Sequence, residues 1–210
     1  LLHYDPPINE VNPDESIQIK NRFTRKDDAS HNIEVFRYIQ SIREVDREIG
    51  RLIKVINKQN LLKDTIVIMT SDHGYELDDY QTGYYGHSSN YSPAQTKVPM
   101  MIIWPGRDAK KYSSRSSHHD FAPTLMREIL DCSNNYSDYS TGNNLFDEKP
   151  WRYLIAGSYD SFSVLTDQKI IVSYGSYFEV RDQNYDLSEI EGSDYKDLED
   201  AISDMSQYFK

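Results

Sequence analysis

Apolar positions in the first part of the chain recur with a helical period. Between residues 30 and 58 they return every three or four positions, which predicts one long amphipathic helix. Asp28 and Ser30 are both suited to cap the start of this helix. Its predicted apolar stripe consists of Phe36, Ile39, Ile42, Val45, Ile49, Leu52 and Ile56.

Two later apolar runs show no alternation and predict buried strands, TIVIMT at residues 65–70 and VPMMIIW at residues 98–104. A short helix is predicted at residues 121–130, with Asp120 just before it and Pro123 in its first turn. Buried strands that lie far apart in the sequence, with helices among them, favour a parallel sheet. We therefore predict an α/β fold, with a mostly parallel sheet and helices on both of its faces.

Polar segments surround these elements. Residues 1–5 predict a further strand and residues 8–28 a loop. Residues 75–96 carry Gly, Asn, Ser, Tyr and Asp without a period and predict a second, long loop. Loops of this length are usually either functional or disordered, so chemistry is to be sought in residues 75–96.

The pattern changes at residue 151. Short runs rich in β-branched and aromatic residues follow, separated at hairpin spacing by Asp167-Gln168 and Gly175-Ser176, and they predict a small antiparallel sheet. We thus expect an α/β portion at residues 1–150 and an antiparallel β subdomain with a terminal helix at residues 151–210. The terminal helix is predicted to dock on the body of the protein, rather than on a partner, through Tyr195, Leu198, Ile202, Met205 and Phe209.

The net charge of −11 narrows the possible partners. Nucleic acids and anionic membrane surfaces are bound through basic faces, so we expect no nucleic-acid partner. No apolar run reaches the roughly 18 residues that would span a bilayer. The single Cys132 excludes a disulfide within the chain and a zinc site built on thiolates. Because Leu1 opens what reads as a strand, we expect the native protein to have a preceding N-terminal part.

The first predicted buried strand ends in the sequence Ser-Asp-His-Gly, which places Asp72 and His73 at a strand end. In open α/β sheets ligands bind outside the carboxyl ends of strands. With Gly74 behind them, both side chains can turn toward one site. A carboxylate and a neutral imidazole are common ligands of divalent ions. The structural alternative is an aspartate that caps the turn beside a packed histidine.

Other histidines allow similar pairs of interpretations. His87 lies in the predicted long loop. It is either a contact to the metal or the substrate, or a surface side chain. His118 and His119 resemble a metal pair, but their place at a helix start favours a capping role, together with Asp120. Lys97 is either an anion contact or a surface lysine. His3 receives no role, and neither a G-x-S-x-G motif nor a P-loop supplies a nucleophile or phosphate site.

Four motifs together resemble the alkaline phosphatase/sulfatase superfamily. They are TIVIMTSDHG at 65–74, GH at 86–87, TKVPMMIIWPG at 96–106 and HDFAPTLMREIL at 119–130. The resemblance covers about residues 1–185. It implies an alkaline phosphatase-like α/β domain, of which residues 1–150 are the C-terminal portion, and hydrolysis or transfer of sulfuric or phosphoric esters.

The resemblance also implies roles for single residues. Asp72 and His73 match ligands of a divalent metal ion, which could be zinc, manganese, calcium or magnesium. His87 matches the loop histidine that contacts the metal or the anionic ester. The nucleophile and the first carboxylate ligands belong to the N-terminal half of such proteins, so this chain alone is expected to be inactive. Where many members have Asp-Pro-His, this chain has Asp5-Pro6-Pro7, which removes a histidine that contacts the substrate.

A narrower resemblance is to the membrane-anchored, sulfatase-like inner-membrane proteins of Gram-negative bacteria, the YejM type. GHSSNYSPAQTKVPMMIIWPG, SDYSTGNNLF and IAGSYDSFSVL carry it. It implies a periplasmic domain anchored through a missing N-terminal part, with an anionic ester or a lipid head group as ligand. Two hypotheses follow, a metal-dependent ester hydrolase and a non-catalytic module in the homeostasis of cardiolipin or lipopolysaccharide.

Overall fold

A computed structural model of the chain describes residue 25 and residues 28–88, 90–148 and 151–208. Its contacts divide the chain into two compact units. Unit 1 runs to His87 and includes Val98–Arg107, and unit 2 comprises Ser88–Lys97 and Asp108–Lys210. The strand predicted at residues 1–5 and almost all of the loop predicted at residues 8–28 lie outside the described residues. The predicted division at residue 150 stays a prediction.

The first helix of unit 1, α1, spans Ala29–Lys58, which confirms the element predicted from the apolar period. Of the two candidate caps Asp28 serves, because its Oδ1 accepts the N–H of His31 at 2.9 Å. Near the start of α1, the side chain of Val35 is buried among the described residues and is 2% exposed. Further along, about half of each side chain is exposed at Ile42, Val45 and Leu52.

The position of Gly50 in α1 gives a direct test of helix stability. A Cβ added at Gly50 meets no heavy atom within 4 Å. Because glycine loses more backbone entropy in a helix than alanine does, we expect Gly50→Ala to raise the free energy of unfolding by about 0.8 kcal/mol. Urea unfolding followed by circular dichroism measures this difference. A loss of stability would show that this side of α1 is covered in solution.

Unit 1 contains the short strands β1 (Val67–Thr70), β2 (Glu76–Leu77), β3 (Tyr85–Gly86) and β4 (Met100–Ile103). β1 and β4 lie within the two runs that were predicted to be buried strands. They are only half-buried among the described residues, and Met101 is 62% exposed. β2 and β3 form a hairpin in the segment 75–96, which was predicted to be a loop without regular structure.

The strand pairing differs from the prediction of a mostly parallel sheet. β1 pairs antiparallel with β4, and all strand pairs of the described residues are antiparallel. A parallel pair needs a long crossover connection. The segment between β1 and β4 instead contains a hairpin and a single turn of helix. Parallel strands elsewhere in the domain stay a prediction.

Unit 2 begins with the helical turn α2 (Pro93–Thr96) and continues with a 3-10 turn at His118–Asp120 and the helix α3 (Phe121–Leu130). The bounds of α3 are those that were predicted. The prediction that Asp120 caps α3 is wrong, because its carboxylate makes no hydrogen bond to the first turn of that helix. It caps the 3-10 turn instead, where Asp120 Oδ2 accepts the N–H of Ser117 at 2.7 Å.

The predicted antiparallel sheet is confirmed in unit 2. Its strands pair in chain order, β5 (Leu154–Gly157), β6 (Phe162–Leu165), β7 (Lys169–Ser173) and β8 (Phe178–Asp182). The last helix, α4 (Gly192–Ser206), packs on this sheet through Leu198 and Ala201. The buried cluster between the sheet and α4 consists of Val164, Ile171, Val180 and Ala201. None of the described helices is both long and apolar enough to cross a membrane.

Candidate functional site

The candidate site lies in unit 1, where β1 ends. The end of β1 is tied to the start of β4, because Thr70 Oγ1 donates to the carbonyl of Pro99 at 2.9 Å. Beyond Thr70 the chain turns sharply. Ser71 Oγ donates to the carbonyl of His73 at 2.7 Å, and Asp72 Oδ1 accepts the N–H of His73 at 3.0 Å. These local bonds fix the direction in which Asp72 and His73 leave the strand.

The turn brings the acid and the imidazole of this segment together. His73 Nε2 lies 3.6 Å from Asp72 Oδ2. Both side chains reach solvent, with 38% of His73 and 44% of Asp72 exposed. Asp72 and His73 were expected to turn toward one site, and their positions agree with this. Their role as metal ligands stays a prediction.

His87 belongs to the same site. It follows β3, and its ring stacks on the ring of His73 with centroids 4.2 Å apart and planes inclined by 23°. The carbonyl of His87 accepts the hydroxyl of Tyr84 at 2.8 Å, which holds the backbone beside the ring. The β2–β3 hairpin thus returns the chain to the end of β1. Sequence reasoning offered this place for His87 in two ways, through its position in the long loop fourteen residues after His73, with a surface histidine as the alternative, and through the family resemblance.

Two tyrosines complete one side of the site. Tyr75 lies 6.3 Å from His87 between ring centroids, and it stacks on Tyr38 of α1 at 5.4 Å. Burial raises the pKa of the Tyr38 hydroxyl, with smaller contributions from Asp79 and Tyr75. Sequence reasoning missed both tyrosines. The position of Tyr75 directly after Gly74 was a usable signal, whereas Tyr38 is one of 17 tyrosines and lies off the predicted stripe.

The electrostatics of the turn favour the ionised form of Asp72. Burial alone raises the pKa of this carboxyl, but the backbone N–H and the imidazole of His73 together with other local donors lower it by more. The pKa of Asp72 therefore lies below its usual range. A carboxylate that stays charged at neutral pH is the form that binds a cation.

The hydrogen bonds of His73 also suit a metal ligand. Its Nδ1 lies 2.8 Å from the carbonyl of Gly74, which can only accept, so Nδ1 carries the proton. In the neutral ring Nε2 then has a lone pair, and this atom is the one that lies near Asp72. Metal-bound histidines are commonly oriented by such a bond to a backbone carbonyl.

The spacing of the two donor atoms allows one ion to be shared. Zinc bonds to nitrogen and oxygen are about 2.0–2.2 Å long, so two ligands of one ion lie about 3–3.6 Å apart. The distance of 3.6 Å between Asp72 Oδ2 and His73 Nε2 fits this range. Within residues 25, 28–88, 90–148 and 151–208, no group of three or more His, Cys, Asp or Glu could hold a metal. Asp72 and His73 are therefore two donors of an incomplete set.

The other candidate residues that the structure describes belong to unit 2. His118 and His119 lie in the 3-10 turn of unit 2, whose caps are Ser117 and Asp120, and Ser117 Oγ accepts the backbone N–H of His119 at 3.2 Å. His119 Nδ1 lies 2.5 Å from Thr141 Oγ1. Lys97 is exposed and donates to Gln183 at 3.2 Å, which agrees with a surface lysine. His3 and Pro7 lie outside the described residues.

Comparison with known proteins identifies the family of this chain. The family model described as Sulfatase matches residues 12–128, more than half of the 210-residue chain. Inner membrane protein YejM of Salmonella typhimurium is 27% identical over 187 residues, which are 88% of this chain and 30% of YejM. N-acetylglucosamine-6-O-sulfatase of Bacteroides thetaiotaomicron is 32% identical over 91 residues, 42% of this chain and 16% of that enzyme.

The fold has solved relatives as well. The structure of BT4656 in complex with its substrate D-Glucosamine-2-N, 6-O-disulfate superposes with a TM-score of 0.63 and 18% identity, over 92% of this chain and 44% of that one. This likeness supports a sulfatase-like α/β fold. The chain spans less than half of each of these relatives. Because the family model covers more than half of its length and includes the Ser-Asp-His-Gly turn, the chain belongs to the sulfatase family.

Proposed function

We propose that this chain is part of a metal-dependent hydrolase or transferase of sulfuric or phosphoric esters. Asp72 and His73 bind a divalent ion, and His87 contacts the anionic group of the ester. One observation carries the proposal. A charged carboxylate oxygen and the lone-pair nitrogen of an imidazole lie 3.6 Å apart at the end of β1, open to solvent. Two electron-rich atoms at this distance are stabilised by a cation that both can bind.

Each residue has a separate task in this proposal. A divalent ion at this position supplies Lewis acidity, which polarises the anionic group of the ester. Asp72 contributes negative charge to the site, and the Gly74 carbonyl holds the ring of His73 in the orientation for binding. The stacked ring of His87 offers a hydrogen-bond donor to an ester oxygen beside the pair.

The proposal requires groups beyond those described. Three or more protein ligands are usual for a catalytic zinc ion, and an attacking hydroxyl or water is needed as well. The family resemblance assigns the nucleophile and the other ligands to a part of the protein that precedes these residues. This chain by itself is therefore proposed to be inactive toward esters.

A second candidate function is a non-catalytic module that binds the head group of an anionic lipid and regulates lipid transport or homeostasis. The specific observation in its favour is the extent of the alignment with the inner-membrane protein YejM, which covers 88% of this chain, against 42% for the alignment with N-acetylglucosamine-6-O-sulfatase. Under either function we propose a periplasmic domain, anchored in the inner membrane by other segments of the protein.

Metal binding by the full-length protein tests the primary proposal. We expect about one tightly bound divalent ion per chain, measured by elemental analysis and by titration of the metal-free protein with zinc or manganese. Asp72→Asn should weaken binding about 10- to 100-fold, because one charged ligand is lost. Asp64→Asn, an exposed aspartate of unit 1, is the matched control and should leave the affinity unchanged.

Ester hydrolysis distinguishes the two candidate functions. The hydrolase predicts cleavage of aryl sulfates or aryl phosphates that is lost together with the metal in Asp72→Asn. Absence of a bound ion, with hydrolysis at background, would contradict the hydrolase. Binding of vesicles that contain cardiolipin or lipopolysaccharide would then support the regulatory module.

A further inference from the structure

Unit 2 contains a cavity of about 180 Å³ that the proposed ester site does not use. It lies between the 3-10 turn at His118–Asp120, the start of β5 and the end of α4. Its lining includes His119, Thr141, Trp151, Tyr153, Ile155 and Asp204. At roughly 30 Å³ for each water, this volume equals about six water molecules, the size of a small amino alcohol.

Three aromatic rings give the cavity rigid walls. The ring of His119 is held by its contact with Thr141, where Nδ1 and Oγ1 are 2.5 Å apart. The side chain of Trp151 lies beside the buried carboxylate of Asp120. Tyr153 packs against the core of the sheet, and its hydroxyl donates to Asp204 Oδ2 at 2.6 Å. The rings of His119 and Tyr153 are thus held by hydrogen bonds within unit 2.

The charges at the cavity favour a cation over an anion. Arg152 also lines it, but its guanidinium is bound by two carboxylates of α4, those of Asp197 at 2.7 Å and of Asp200, and lies 5.5 Å from the centroid of the Tyr153 ring. Asp204 has no cationic partner among the described residues and receives only the neutral hydroxyl of Tyr153. A carboxylate has about four acceptor positions, so Asp204 keeps capacity for another donor.

From this arrangement we propose that the cavity binds a small organic ammonium group. Aromatic faces attract alkylammonium ions through the ring quadrupole, and Trp is the strongest of the aromatic residues in this respect. Asp204 supplies the opposite charge, and Ile155 contacts the alkyl part. An anionic ligand would meet an unbalanced carboxylate together with an arginine that is already paired. The inference rests on unit 2 alone and does not depend on the function proposed for Asp72 and His73.

Fluorescence of the full chain tests this inference with choline as the probe. The chain has two tryptophans, so Trp104→Phe leaves Trp151 as the only reporter in the cavity. We expect choline to change this fluorescence saturably, whereas sodium chloride at the same ionic strength does not. The neutral isostere of choline, with a tert-butyl group in place of trimethylammonium, should bind at least about fivefold more weakly.

A pair of charge variants on α4 locates the site. Asp204→Asn should weaken choline binding about fivefold or more, because the cation loses its counter-charge. Glu199→Gln removes the same charge from an exposed position outside the cavity and should leave binding unchanged. The inference is overturned if choline gives no saturable signal, if the neutral isostere binds as tightly, or if Asp204→Asn binds like the parent protein. The isostere comparison needs no substitution in the cavity, so it stands whatever a variant does to folding.

Discussion

Gly142→Ala is expected to destabilise unit 2 by about 3 kcal/mol. A Cβ added at Gly142 would lie 2.1 Å from the carbonyl oxygen of His119, 2.3 Å from its carbonyl carbon and 2.7 Å from the backbone nitrogen of Asp120. These neighbours are backbone atoms of the 3-10 turn and cannot rotate away. The segment that carries residue 142 must therefore shift, and overpacking of this kind typically costs about 1–3 kcal/mol, occasionally more.

The shift at residue 142 also breaks neighbouring hydrogen bonds. Ser140 Oγ donates to the carbonyl of His119 at 2.7 Å, and the N–H of Asn143 donates to Asp120 Oδ1 at 2.7 Å. Both bonds cross the same close approach, so separating the two segments lengthens them together. Their loss is the reason to expect a cost at or above the upper end of the range for overpacking alone.

Gly157→Ala is the control for this prediction. Gly157 lies at the end of β5 in the same unit, and an added Cβ there meets no heavy atom within 4 Å. The free energy of unfolding of both variants can be measured by urea titration, with Trp151 as the probe in the Trp104→Phe background. We expect Gly157→Ala to lie within about 0.5 kcal/mol of the parent protein. A similarly small change for Gly142→Ala would show that the close approach does not exist in solution.

The sequence predicted the local elements far better than their partners. The bounds of α1 and α3 follow from the apolar period, which each helix carries within itself. The pairing of β1 with β4 was missed, because an apolar run reports burial and not the strand that lies beside it. The role of Gly142 was missed for a similar reason. Nothing in its neighbourhood in the sequence indicates that the backbone of His119 approaches it.

The candidate site shows the same division. Asp72 and His73 could be predicted because they follow directly from the strand before them, and a strand end is where ligands bind. The position of His87 depends on the β2–β3 hairpin. The polar, aperiodic sequence of residues 75–96 did not predict this hairpin. The spacing of fourteen residues from His73 allowed His87 to fold back to the pair but left a surface histidine as the alternative, and the family resemblance favoured the link. The ring of His87 stacks on that of His73, which agrees with it.

Asp120 lies beside Gly142 in unit 2. We expect Asp120→Ala to destabilise the protein more than Gly142→Ala does. This side chain is 2% exposed, and its two oxygens accept the N–H groups of Ser117 and Asn143, each at 2.7 Å. Alanine leaves both donors without an acceptor, at about 1–3 kcal/mol each. We expect a total loss of about 3–5 kcal/mol in urea unfolding, against less than about 0.5 kcal/mol for alanine at the exposed Asp138.

Asp120→Asn keeps one acceptor oxygen and should cost less than alanine, and its cost should depend on pH. Burial raises the pKa of the Asp120 carboxyl by more than the N–H groups of Asn143 and Ser117 lower it. The folded protein therefore holds this proton to a higher pH than the unfolded chain, whose carboxyl has a pKa of about 3.9. The stability gained from the protonated form is fully present below that value and is lost as the pH rises through the folded pKa.

Asparagine does not titrate, and the other ionisable groups cancel when the two proteins are compared at each pH. The stability advantage of the parent protein over Asp120→Asn should therefore be largest near pH 4 and should shrink toward neutral pH, in urea titrations across this range. An advantage that stays constant over the range, or grows with pH, would show that burial does not dominate at Asp120. The carboxylate would then be stabilised in its charged form by the backbone donors that surround it.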